Sequence, residues 1–226
     1  MFPCRFGTKL GSDPGLEGFA SMAALEEIEP GLWRWSAPHP GWRPDAAPES
    51  PADWPRAVGC VLCDAPDATV LIDPLLPHGD ERLLSALDQH VGRRERPVVV
   101  LTTIGFHRRS RDQLAKRYGA TTSRAKNNLP AGVESFPIRG AGETIFWLAE
   151  HRALVPGDRI IGAQRGRLRL CPESWLRYLP SGITLAALAE ALRPLLDLEI
   201  ERVLVSHGEP VLGGGRKALE AALHPG

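Results

Sequence analysis

Four side chains in this sequence stand where an apolar run stops. Asp73 follows residues 69–72, His107 comes shortly after 97–101, Asp158 follows 153–155, and His207 follows 202–205. Short apolar runs of this kind read as buried strands, and strand ends on one edge of a sheet converge in space. Two imidazoles and two carboxylates brought together make a metal site or an acid–base site, because both residue types bind divalent ions and exchange protons. A His–Asp pair without metal also shifts the histidine pKa enough to make a general base. Asp73 equally suits a structural role, accepting backbone N–H groups in the turn it opens. Arg108, Arg109 and Arg111 form a basic run at a helix start, where most such charges face water. His39, His78, His90, His151 and His224 lack ligand spacing.

The elements that must position these groups follow from periodicity. Residues 31–37 alternate apolar and polar side chains, as a half-buried strand does. Residues 38–55 are rich in proline, contain Trp42 and Trp54, and show no period; a loop this long inside a domain reads as a lid over a cleft. Strands are expected at 58–63, 69–72, 97–101, 134–138, 144–149, 153–155 and 202–205, with shorter ones at 159–161 and 168–170. Helices are expected at 80–91, 110–118, 183–196 and 217–223. The order gives two similar halves, which suggests two sheets packed face to face with helices outside.

Composition limits the function classes. The formal net charge is zero, against the basic excess of a nucleic-acid binder. No apolar run approaches the ~18 residues of a membrane span, and residues 1–6 lack an apolar signal core. Cys60 and Cys63 have C-x-x-C spacing but sit on a strand, where three residues apart means opposite faces. They read as small buried hydrophobes, with no second pair to complete a zinc site. A reduced, cytoplasmic protein is the expectation. Residues 1–21 are glycine-broken and aperiodic, and are set apart as a disordered or non-native extension; Met22 opens a plausible native start, and residues 22–226 form one domain.

Taken together and in order, the motifs resemble those of the metallo-β-lactamase superfamily, from about residue 31 to the end. Ile72-Asp73-Pro74 resembles its first motif. Residues 101–108 resemble Leu-Thr-His-x-His-x-Asp-His without a gap. Residues 140–146 resemble the Gly-x-x-Phe strand after its third motif. Val155-Pro156-Gly157-Asp158 resembles the apolar-x-Gly-Asp motif, and residues 203–210 resemble the terminal strand with Ser/Gly-His-Gly. The resemblance implies an α/β fold, an αββα sandwich of two mixed β-sheets packed face to face with helices outside.

The departures are selective. Thr103 and Gly105 stand at the first two histidines of the loop motif, Arg108 at its last, and Arg139 about where the third motif has histidine. The family's first metal position is thereby lost, and β-lactam hydrolysis with it. At the second position stand His107, Asp158 and His207, a donor set that suits one zinc or ferrous ion. The resemblance therefore implies a hydrolase-like protein with at most one metal ion, Asp158 and His207 serving in catalysis as well as ligation. Arg108 and Arg139, standing at ligand positions, are expected to point into the cleft and, with Thr103, to hold a small anionic substrate. The alternative is a metal-free pseudoenzyme of the same fold that binds an anionic ligand or a protein partner without hydrolysis. Neither nucleic acid nor membrane is an expected partner.

Overall fold

Side chains of β3 (Ala57–Asp64) go alternately to opposite sides. Val61 and Cys63 enter one core, while Val58, Cys60 and Leu62 enter another. The same period of two divides β4 (Thr69–Ile72) and β5 (Val98–Leu101). Val70, Ile72, Val99 and Leu101 face one way, and Leu71, Val98 and Val100 the other. Strands buried on both faces need nearly continuous apolar sequence, which is why these runs were so legible. The computed structural model describes residues 24–123 and 128–224. The expected extension over residues 1–21 lies outside the described residues.

Among the described residues the first sheet has six strands in the order β1 (Glu26–Glu29), β2 (Leu32–Pro38), β3, β4, β5, β6 (Thr121–Ser123). Its first three pairings are antiparallel and its last two parallel. The second sheet runs β12 (Arg202–Val203), β9 (Ala153–Val155), β8 (Glu143–Leu148), β7 (Val133–Ile138). Only β12–β9 is parallel there. A hairpin of β10 (Ile160–Ala163) and β11 (Arg167–Leu170) stands beside them.

Three apolar layers hold these parts together. Val133, Phe146, Leu148, Ala153, Val155 and Leu204 of the second sheet side meet the inward residues of the first sheet in one core. The outer face of the first sheet packs on Leu83 and Leu87 of α1 (Glu81–Arg94) and Leu114 of α2 (Arg111–Tyr118). The outer face of the second packs on Leu188 and Leu192 of α3 (Leu185–Leu192) and Leu219 and Leu223 of α4 (Gly215–Leu223). The architecture is an αββα sandwich, as expected. No helix among the described residues is long and apolar enough to cross a membrane.

Two local expectations are corrected, and two strands are added. The helix expected over 183–196 stops at Leu192 and tightens into a 3-10 turn, Arg193–Asp197. Pro194 has no N–H for the next α-helical bond. The strand expected over 202–205 is only Arg202–Val203. Beyond it the Ser206 and His207 carbonyls accept the N–H groups of Gly59 and Gly162, so the chain stitches β3 to β10 instead of extending its ladder. β1 and β6 were not expected at all. Both are short, polar edge strands without an apolar alternation to read.

Candidate metal centre

Asp73 turns the chain out of β4 with a left-handed backbone, φ 48°. Its carboxylate then gathers the loop that follows β5. Oδ1 accepts the Thr103 N–H at 2.8 Å, and Oδ2 accepts the Thr103 hydroxyl and, at 2.8 Å, His107 Nδ1. With Nδ1 so engaged, His107 Nε2 is the nitrogen left to face Asp158. A carboxylate behind a histidine fixes its tautomer and ring orientation. The Thr103 carbonyl also accepts the Thr144 N–H at 2.8 Å, so this loop is tied to the second sheet.

Asp158 is held by a different carboxylate. Glu143, at the start of β8 and buried, accepts three consecutive backbone N–H groups: Gly157 at 3.0 Å, Asp158 at 2.7 Å and Arg159 at 3.0 Å. Burial pushes the Glu143 carboxyl up to about 7, against the pull of Arg159. Arg159 is itself fully buried, donating to the Ala141 carbonyl at 3.0 Å and the Tyr178 hydroxyl at 3.3 Å. Gly157 is required here: a Cβ would lie 2.6 Å from Thr103 Oγ1 and 3.0 Å from Glu143 Oε2.

His207 arrives on the chain leaving β12, where Gly208 crosses the β10 backbone so closely that a Cβ would meet the Gly162 carbonyl oxygen at 2.2 Å. Its Nε2 lies 3.3 Å from Asp158 Oδ1, and His107 Nε2 lies 3.1 Å from the same oxygen. All three side chains are buried. Burial alone would lower the His107 pKa, but Asp158 and Asp73 outweigh it and raise it to about 9. Burial lowers the His207 pKa despite Asp158. Burial would raise Asp158, yet His107 and His207 hold its carboxyl well below the usual range.

This geometry fits a metal ion. One ligand atom from each of His107, Asp158 and His207 lies within 4.8 Å of the others. A tetrahedral ion with bonds of about 2.1 Å needs ligand atoms roughly 3.4 Å apart, close to the two separations from Asp158 Oδ1. Both imidazoles are at ion-pair distance, but no aligned hydrogen bond reaches that buried oxygen, and His207 Nδ1 is also without a partner. A buried carboxylate oxygen aimed at two nitrogens without bonding either well is the arrangement an ion satisfies.

The pocket above these atoms has a volume of about 260 Å³ and is walled by His39, Pro51, Trp54, Val58, Phe106, Arg109, Trp175 and Tyr178 beside His107, Asp158 and His207. The Trp54 ring centre is 5.7 Å and that of Trp175 5.4 Å from that of His207. Trp42 is not in this pocket; it lines a larger open groove on the far side of Trp54. His39 accepts the Gly41 N–H, and burial together with Arg109 lowers its pKa to about 4.

The three residues expected to contact substrate do not line this pocket. Thr103 is fully buried and faces Asp73, so it positions the loop instead of touching a guest. Arg108 is exposed and outside the pocket, because the next residue takes a left-handed backbone, φ 38°, that sends Arg109 inward instead. Arg139 is exposed on the turn after β7, ahead of Gly140 at φ 79°. Arg109 donates to the Gly59 carbonyl at 3.1 Å, the Asp73 carbonyl at 2.9 Å and Ser206 Oγ at 2.7 Å. Arg109 was read only as part of a basic run facing water, and Glu143, Trp175 and Tyr178 were not singled out from the sequence.

No family model matches the sequence, and no curated relative does. Solved structures do match the fold. A metallo-β-lactamase from Erythrobacter litoralis superposes with a TM-score of 0.60 at 16% identity, over 90% of this chain and 91% of that one. The metallo-β-lactamase DIM-1 gives 0.53 at 12% identity over 88% and 97%. One from Pontibacter korlensis gives 0.51 at 15% identity over 88% and 96%.

Proposed function

This chain has the metallo-β-lactamase fold, and from that premise we propose that it is a hydrolase-like enzyme working with one divalent metal ion held by His107, Asp158 and His207. The observation that carries the reading is the convergence of two imidazole nitrogens on one orphaned, buried carboxylate oxygen, 3.1 and 3.3 Å away. Two imidazoles and a carboxylate suit zinc or ferrous iron and leave coordination positions open toward the pocket. The ion would supply Lewis acidity toward an electrophilic oxygen of the substrate. Asp73 holds His107 in the tautomer that presents Nε2. Glu143 fixes the backbone that carries Asp158. Trp54 and Trp175 keep bulk water off His207.

A second reading has its own support. With no ion, His107 and Asp158 neutralise one another as a buried pair, and the Arg109 charge beside them disfavours a cation. The protein is then a metal-free member of the fold that binds a ligand without hydrolysing it. Elemental analysis of protein purified without chelator separates the two. Near-stoichiometric zinc or iron that disappears in His207→Ala supports the metal reading. Metal-free protein that also refuses added zinc and ferrous iron overturns it and leaves the second.

A further inference from the structure

We propose that the pocket over Asp158 takes a small, uncharged, flat group, an aromatic ring or a conjugated group of similar size, and not an anion. The inference rests on the proposed function's choice of this pocket as the working site, but not on an ion being bound. Anion recognition has lost its carriers: Arg108 and Arg139 stand outside the pocket, and the one guanidinium inside, Arg109, donates through its two Nη atoms to two carbonyls and a hydroxyl, while its unpartnered Nε is buried out of a guest's reach. The Asp158 carboxylate is paired with His107 at 3.1 Å, and His207 lies 3.3 Å from the same oxygen.

What remains is aromatic surface. Trp54 and Trp175 flank His207, and Phe106 and Tyr178 close the mouth with ring centres 6.2 Å apart. Phe106 is 55% exposed and Tyr178 50%. Apart from Leu212 they are the large apolar side chains left in water among the described residues, and they stand side by side here. Single exposed apolar residues are ordinary, but two neighbours rimming a cavity mark a surface that a guest covers. Flat π faces favour a flat guest, held edge-on or offset. The volume of about 260 Å³ sits below the usual range for drug-sized ligands, so the guest is ring-sized.

Benzamide, an uncharged ring, tests this against benzoate, the same ring with a charge, and against inorganic phosphate. Calorimetric titration of the full-length chain in the presence of chelator removes any metal that would favour anions. Benzamide is expected to bind with a roughly millimolar Kd, at least about tenfold tighter than either anion. Trp54→Ala should weaken it about tenfold or more, while Trp54→Phe stays within about threefold. Phe106→Ala, exposed and so harmless to folding, should weaken it about threefold or more. No benzamide binding at roughly 20 mM, tighter binding of phosphate or benzoate, or equal binding to wild type and both alanine variants overturns the inference. A zinc titration of chelator-free protein reads the metal centre separately. Zinc binding without benzamide binding removes this inference and keeps the metal; benzamide binding without zinc does the reverse.

Discussion

His107 and His207 are the same residue facing the same oxygen, and the fold sets them opposite ways. His107 has a carboxylate on each side, Asp73 on Nδ1 and Asp158 opposite Nε2, and its pKa is raised to about 9. His207 has only Asp158, its Nδ1 is an orphan among aromatic rings, and its pKa is lowered. Burial is equal in kind, so the difference lies in the group behind the ring. One imidazole is a held proton and the other a bare lone pair. A site built this way can bind an ion after losing one proton, or hold an internal ion pair with none.

The strongest way to break this asymmetry is to remove what the two rings share. Asp158→Ala should abolish zinc binding in a titration. It should also cost about 3–5 kcal/mol in denaturant unfolding of the metal-free protein, the usual penalty for breaking a buried pair. NMR titration of the imidazoles should then find the His107 pKa much lower than in the wild type. Retention of stoichiometric zinc would show that Asp158 is no ligand.

Removing the buttress from one ring alone has a smaller effect. Asp73→Asn should weaken zinc binding by roughly 10–100-fold, as other second-sphere losses do. It also has a pH signature. The His107 pKa is raised above its ordinary 6.5, so in metal-free protein its contribution to stability is complete below about pH 6.5 and disappears as pH rises through about 9. In Asp73→Asn that fall should move to lower pH. A stability–pH curve that does not move would assign the His107 charge to Asp158 alone.

The mildest perturbation acts on the other ring. Trp54→Ala admits water beside His207, so its NMR-measured pKa should climb toward 6.5 while that of His107 stays in place. Zinc affinity should change less than about threefold, since no ligand is touched. A shift of His107 as large as that of His207 would mean that the two rings do not titrate independently.

Most of the fold was legible because strands buried on both faces have no room for polar residues, as in β3, β4 and β5. What escaped was polar and at edges, β1 and β6, or depended on one proline, as at the end of α3. The centre was half legible. Strand ends named Asp73, His107, Asp158 and His207, and the structure brings all four together. The arginine in the pocket was missed by one position, since nothing in Arg108-Arg109 tells which takes the left-handed turn. Glu143 and Arg159 left no trace because a buried charge reads like a solvated one until its partners, far along the chain, are known. The aromatic walls come from the loop ending at Trp54, from Phe106, and from the segment 173–178, regions without a period.

The single carboxylate of Glu143 that gathers three successive N–H groups has a consequence for how such a chain can drift. The loop bearing Asp158 keeps its shape through the buried Glu143 carboxyl group and the loop bearing His107 through Asp73, so the form of each is set by bonds within the chain. Side chains facing the cleft can therefore be exchanged without unfolding the scaffold around them.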